Sequence, residues 1–191
     1  MKRRYGSPIL LGGYAASTCP ELTAASYPDL FDGVVASAGE YAVVQALKQM
    51  DGPSLGDRAC IPNLVYVENG QLKSNPKRNA PRLQQLPPLD LSVLHHAEAY
   101  EQLPYFATAG CPFTCDFCYE PLVYPEYDKN SAEFILRDLD HCLGDTIQTP
   151  LVSFVDPLFG ADKKPTIPLL EGLKERGIRY TLYTRADILD E

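Results

Sequence analysis

The residues best suited to chemistry are Cys111, Cys115 and Cys118, in the segment Gly110-Cys111-Pro112-Phe113-Thr114-Cys115-Asp116-Phe117-Cys118. Their C-x3-C-x2-C spacing puts three soft sulfur donors on one tight loop. Each thiolate could take one iron of a cubane cluster, leaving the fourth iron without a protein ligand. An open metal position marks a catalytic site, because a further molecule must coordinate there. Two other readings use the same residues. A zinc knuckle needs a fourth Cys or His at suitable spacing, whereas His95 and His96 lie upstream across a linker and His141 sits in a helical stretch. A chance triplet is the other alternative, at a spacing that is rare in a chain with six cysteines.

The remaining cysteines, Cys19, Cys60 and Cys142, are far apart, and six in 191 residues are too few for a disulfide scaffold. The clustered three point to metal chemistry in a reducing, cytoplasmic compartment. With 17 basic against 25 acidic residues the formal net charge is −8, which argues against a sequence-independent grip on nucleic acid. Apart from Lys2-Arg3-Arg4 the basic residues are scattered. That trio precedes Ile9-Leu10-Leu11, but Gly12-Gly13 breaks the apolar run and no cleavage site follows, so a buried strand is the reading preferred to a signal peptide. No apolar run approaches the length of a membrane span.

A set of strands and helices must position the loop. Ser7 to Gly13 reads as a strand, Pro20-Glu21 opens a helix to about Tyr27, Asp32 to Ser37 holds a second strand, and Gly39-Glu40 starts a helix stopped at Asp51-Gly52-Pro53. Asn69-Gly70 predicts a hairpin over 61–75, since both central positions of such a turn want positive φ. Prolines 76, 81, 87 and 88 make 75–89 an extended linker. From Tyr105 the pattern becomes regular. Tyr105 to Thr108 is a strand running into the cysteine loop. Asn130 and Glu133 have capping-box spacing for a helix through Leu143, stopped by Gly144, with an apolar stripe of Ala132, Ile135, Leu136, Leu139, Cys142 and Leu143. Leu151 to Val155 is a strand, Thr166 to Arg176 a helix, and Ile178 to Tyr183 a third strand. Strands joined by helices imply a parallel sheet, whose carboxyl edge is where ligands bind. Cys142 lies on the helical stripe and reads as core; Cys19 and Cys60 read as structural.

At this point the sequence resembles the radical S-adenosylmethionine superfamily, by the cysteine spacing, by Phe117 just before the third cysteine, and by the strand ahead of the loop. The resemblance implies that Cys111, Cys115 and Cys118 hold a 4Fe–4S cluster whose open iron is chelated by the methionine end of S-adenosylmethionine. Reductive cleavage of that cofactor would then release a 5′-deoxyadenosyl radical. It also implies an electron donor such as flavodoxin or ferredoxin and a small-molecule or peptide substrate of unknown identity. Asp156, in Asp156-Pro157-Leu158-Phe159, resembles the acidic-residue-plus-Phe version found in the cobalamin-binding branch and would accept a hydrogen bond from the cofactor's ammonium, or else cap a loop. Arg185 would pair with the cofactor carboxylate, or else be a surface arginine. Phe117 would pack beside the cluster and adenine, or else plug the barrel mouth.

The first part resembles the later portion of a cobalamin-binding domain, through Leu10-Leu11-Gly12-Gly13, Pro20-Glu21, Asp32-Gly33-Val34-Val35 and Gly39-Glu40. It departs from that pattern at Ser37-Ala38, where the family has Gly-Glu, and it lacks the Asp-x-His-x-x-Gly segment that supplies the cobalt ligand. Cobalamin is therefore possible in the family, with its ligating segment missing here. The expected fold class is α/β: a partial Rossmann-like module over 1–50, a hairpin and Pro-rich linker over 51–100, and the first half of a radical S-adenosylmethionine (β/α)6 partial TIM barrel over 101–191. Because the chain stops at Asp190-Glu191, where a third helix should start, a truncated barrel is expected. Three alternatives accompany this reading: an incomplete, inactive cluster-binding fragment, a tRNA methylthiotransferase-like enzyme and a zinc-binding module.

Overall fold

The computed structural model describes residues 6–51, 54–95, 100–145 and 151–189. The Lys2-Arg3-Arg4 trio, Gly52-Pro53, His96 and Asp190-Glu191 lie outside the described residues. The chain divides into two compact units: an N-terminal unit of Met1–Pro81 with Thr114–Pro125, and a C-terminal unit of Arg82–Phe113 with Glu126–Glu191.

In the N-terminal unit the elements are β1 (Leu10–Leu11), α1 (Tyr14–Thr18), α2 (Pro20–Ser26), β2 (Gly33–Val35) and α3 (Glu40–Lys48). They are followed by a small ribbon of β3 (Met50–Asp51) and β4 (Ser54–Leu55), then β5 (Leu64–Glu68), β6 (Gln71–Ser74) and the short α4 (Glu120–Val123). The sheet has the order β1-β2-β5-β6, with β1 parallel to β2 and the other pairs antiparallel. Strand alternation sends successive side chains to opposite faces. Val35, Leu64 and Tyr66 therefore pack with Ala42, Ala46 and Ile61 on one side, while Val34 and Val65 pack with Ala16 and Ala24 on the other. The predicted hairpin is present, with Asn69 at φ 52° and Gly70 at φ 73°, and β5 ties it into the sheet. Helix α1, absent from the sequence reading, has no side-chain cap to announce it.

The C-terminal unit follows the predicted alternation. Its parallel sheet has the order β11-β10-β7, from β7 (Leu103–Tyr105), β10 (Leu151–Phe154) and β11 (Arg179–Thr181). Helix α5 (Ala132–Asp145) buries Ile135, Leu139 and Cys142 from the expected stripe. It starts on Ser131, whose Oγ accepts from the Phe134 amide at 3.1 Å, rather than on Asn130, and it runs through Gly144. Helix α6 (Lys163–Glu175) begins earlier than predicted because Asp162 caps it, accepting from the Lys164 amide at 3.0 Å. Pro165 is tolerated there because the first turn of a helix has no use for its missing N–H. The core centres on Phe154, with Phe159 at 4.9 Å and Tyr105 at 6.2 Å between ring centroids. Burying a side chain of this size is worth about 1.5–3 kcal/mol.

Candidate active site

The strand that leads to the cysteines lies two residues earlier than the expected Tyr105–Thr108, at Leu103–Tyr105. β7 ends at Tyr105, and a separate bridge, β8 (Thr108–Ala109), pairs antiparallel with β9 (Asp128–Lys129) before the loop begins. Gly110 then takes φ 71°, a left-handed conformation that glycine adopts at no steric cost. The unit boundary runs between Phe113 and Thr114. Cys111 thus belongs to the C-terminal unit, and Cys115 and Cys118 to the N-terminal one.

All three thiols are free; Cys111 and Cys115 are half-buried and Cys118 is exposed. A tight turn closes Cys115 to Cys118, the Cys118 amide donating to the Cys115 carbonyl at 3.0 Å. The Glu120 amide, two residues on, donates to Cys118 Sγ at 3.5 Å. Phe117 stands at the turn with 84% of its surface exposed. Among the described residues, no group of three or more His, Cys, Asp and Glu converges on a position for one metal ion. A cubane asks for less convergence than a single ion does, because each thiolate binds its own iron. The donor set of three free soft thiols on one loop fits that group.

In the C-terminal unit, Asp156 follows β10 and is 1% exposed. Its Oδ1 accepts from both the Thr108 amide and the Thr108 hydroxyl, the latter at 2.7 Å. Its Oδ2 is fully buried and has no hydrogen-bond partner among the described residues. Burial pushes the carboxyl above its ordinary range, against the bonds from Thr108 that favour the ionised form. Asn130 is also buried, and its Oδ1 likewise lacks a partner among the described residues. Beside these groups lies a small cleft lined by Thr108, Tyr127, Lys129, Asn130, Phe159 and Asp162. Lys129 is paired with Asp162. Thr108 thus holds one oxygen of Asp156.

Arg185 is engaged. Its guanidinium makes a two-pronged pair with Asp187, at 2.9 and 2.6 Å, and lies 4.3 Å from the centroid of the Phe113 ring in the cysteine loop. A cation over an aromatic face is attracted by the ring quadrupole. Cys142 packs in the core, where burial pushes its thiol up to about 11. Cys19 and Cys60 are exposed, contrary to a structural role in packing, and the Cys60 thiol donates to Asp57 Oδ2 at 3.0 Å. Thr108, Glu120 and Tyr14 escaped the sequence reading. Each acts through a partner far along the chain, which no local pattern could reveal.

No protein-family model matches the sequence. An uncharacterized methyltransferase of Pyrococcus horikoshii is 28% identical over 195 aligned residues, covering 96% of this chain and 41% of that relative. Among solved structures, the cobalamin-dependent S-adenosylmethionine radical enzyme OxsB, with aqua-cobalamin and S-adenosylmethionine bound, matches with a TM-score of 0.71 at 22% identity. That match covers 96% of this chain and 26% of OxsB. The radical S-adenosylmethionine methyltransferase TsrM of Kitasatospora setae, with tryptophan and a cofactor analogue bound, matches with a TM-score of 0.64 at 17% identity, over 88% of this chain and 33% of TsrM. The chain thus shares the α/β fold of part of these enzymes, and spans about two-fifths of the length of the Pyrococcus relative.

Proposed function

We propose that this chain carries the cluster-binding part of a radical S-adenosylmethionine enzyme, with Cys111, Cys115 and Cys118 as ligands of a 4Fe–4S cluster. The observation that carries the reading is the set of three free, accessible thiols at C-x3-C-x2-C spacing, within a fold shared with enzymes of that chemistry. When bound, the reduced cluster supplies the electron that cleaves S-adenosylmethionine. The chain's own residues bind and orient. Asp156 has a buried oxygen available to accept from the cofactor's ammonium, and Thr108 holds that carboxylate in place. Arg185, already stacked on Phe113, is the cation for the cofactor carboxylate, which would displace Asp187. Phe117 offers an exposed aromatic face to the adenine. The methyltransferase names of the Pyrococcus and Kitasatospora proteins favour methyl transfer as the outcome. The substrate and an electron donor of the flavodoxin or ferredoxin kind complete the proposal, in the cytoplasm; no described helix is long and apolar enough to cross a membrane.

The test is anaerobic reconstitution with iron and sulfide. A brown chromophore that changes on adding S-adenosylmethionine, and that is lost in Cys115→Ala, is the expected result. Absence of a cluster, a cluster indifferent to Cys115→Ala, or retention of zinc in a four-coordinate sulfur site would overturn the reading. Formation of 5′-deoxyadenosine under dithionite then measures turnover.

A further inference from the structure

The backbone just after Cys118 is fastened by side chains to which the proposed chemistry assigns no part. The Tyr14 hydroxyl donates to Glu120 Oε2 at 2.7 Å, across 106 residues of chain. The Tyr124 hydroxyl donates to Glu40 Oε1 at 3.1 Å, and Ser37 Oγ donates to the Val123 carbonyl at 3.1 Å. Glu120 itself is 5% exposed, an unusual burial for a carboxylate at the start of a one-turn helix. A surface turn does not need three such bonds to elements far away in sequence. What they hold is the Glu120 amide, whose N–H points at Cys118 Sγ.

We infer that Tyr14 and Tyr124 are positioning residues for Cys118: through Glu120 and Glu40 they keep α4 where its first amide donates to the cysteine sulfur. The inference rests on the proposed cluster for its consequence. An N–H donor to a ligating thiolate withdraws charge from the sulfur, and hydrogen bonds to the sulfurs are among the determinants of a cluster's reduction potential. A donor held in advance by buried bonds needs no rearrangement when the cluster is inserted. Tyr14 suits the task because burial and its bond to Glu120 both push its hydroxyl up, so that it remains a proton donor. Ser37, which bonds a carbonyl further along, secures the other end of the same turn.

The experiment has two arms. In the chain without metal, amide hydrogen exchange over residues 119–124 should be about tenfold faster in Tyr14→Phe and Tyr124→Phe, as loss of one net hydrogen bond implies. Exchange in α6 should not change. Glu120→Gln keeps an acceptor for Tyr14 and should exchange like the wild type. In the reconstituted chain, Tyr14→Phe should shift the cluster's midpoint potential to more negative values and release iron to a chelator several-fold faster. Unchanged exchange at the Glu120 amide, or an unchanged potential in a Tyr14→Phe chain that has taken up a cluster, overturns the inference. Should the wild type take up no cluster, the proposed function fails by itself, and the exchange arm still decides whether the two tyrosines hold the amide.

Discussion

The N-terminal unit presents Cys115 and Cys118 from irregular backbone tied down by side-chain hydrogen bonds, whereas the C-terminal unit presents Asp156 from the end of a strand walled by large apolar side chains. The core residues behind the first include five alanines, Ala16, Ala24, Ala36, Ala42 and Ala46. Those behind the second include Phe154, Leu139, Leu169 and Leu173. The difference matters energetically. A net hydrogen bond contributes about 1 kcal/mol, while a well-packed aromatic contributes several times that. Segments held by a few polar bonds open at lower cost than strands within a core.

Three substitutions put numbers on this contrast. Phe154→Ala removes a fully buried ring that touches Phe159, Tyr105 and Tyr180. It should cost about 3–5 kcal/mol in urea denaturation, the largest single effect expected outside the cysteines. One of the fully buried side chains of the N-terminal unit is polar. Asn63, 1% exposed, donates through Nδ2 to the Ala38 and Arg78 carbonyls at 2.8 and 2.9 Å and accepts from the Arg78 amide at 2.6 Å. Asn63→Ala should cost about 2–3 kcal/mol, since it orphans buried backbone groups. Asn63→Gly should be about 1 kcal/mol milder, because the residue sits at φ 61°, where a Cβ is strained. If Asn63→Ala proved as costly as Phe154→Ala, the contrast between a packed and a tied unit would fail.

The same contrast explains what could be read in advance. The α5 stripe and the parallel strands were legible because helical and strand periods put their apolar residues on one face. Asn69-Gly70 was legible because the turn's demand for positive φ is local. The cysteine spacing was legible for the same reason, being confined to one loop. Asn63, Thr108 and the Tyr14–Glu120 bond were hidden, since each depends on which distant backbone arrives beside it. Helix α1 was hidden as well: Tyr14-Ala15-Ala16-Ser17-Thr18 offers no cap and too short a stripe. Gly172 shows the limit from another side. A glycine inside a helix is destabilising by itself, yet a Cβ at this one would run into the Leu136 side chain, so the glycine is what lets α6 approach α5.

Asp156 is where packing and chemistry pull in opposite directions. Its carboxyl is pushed up by burial, so the folded chain holds the proton more tightly than the unfolded chain does. Stability contributed by this group is therefore present at low pH and declines as pH rises from the unfolded value through the folded one. Burial disfavours its ionised form, and the bonds from Thr108 offset this in part. Asp156→Asn keeps the Oδ1 acceptor for Thr108 and cannot ionise. Any stability it gains over the wild type should appear as pH rises above the carboxylate range and shrink toward zero as pH falls below it. Denaturation at three pH values measures both the gain and its disappearance. On the proposed function the same change removes the charged partner of the cofactor's ammonium, so S-adenosylmethionine should perturb the cluster spectrum less, or only at higher concentration. A variant that is more stable yet binds worse would identify Asp156 as strain kept for a ligand. A variant less stable than the wild type at pH 7 would mean instead that the buried oxygen already serves the fold.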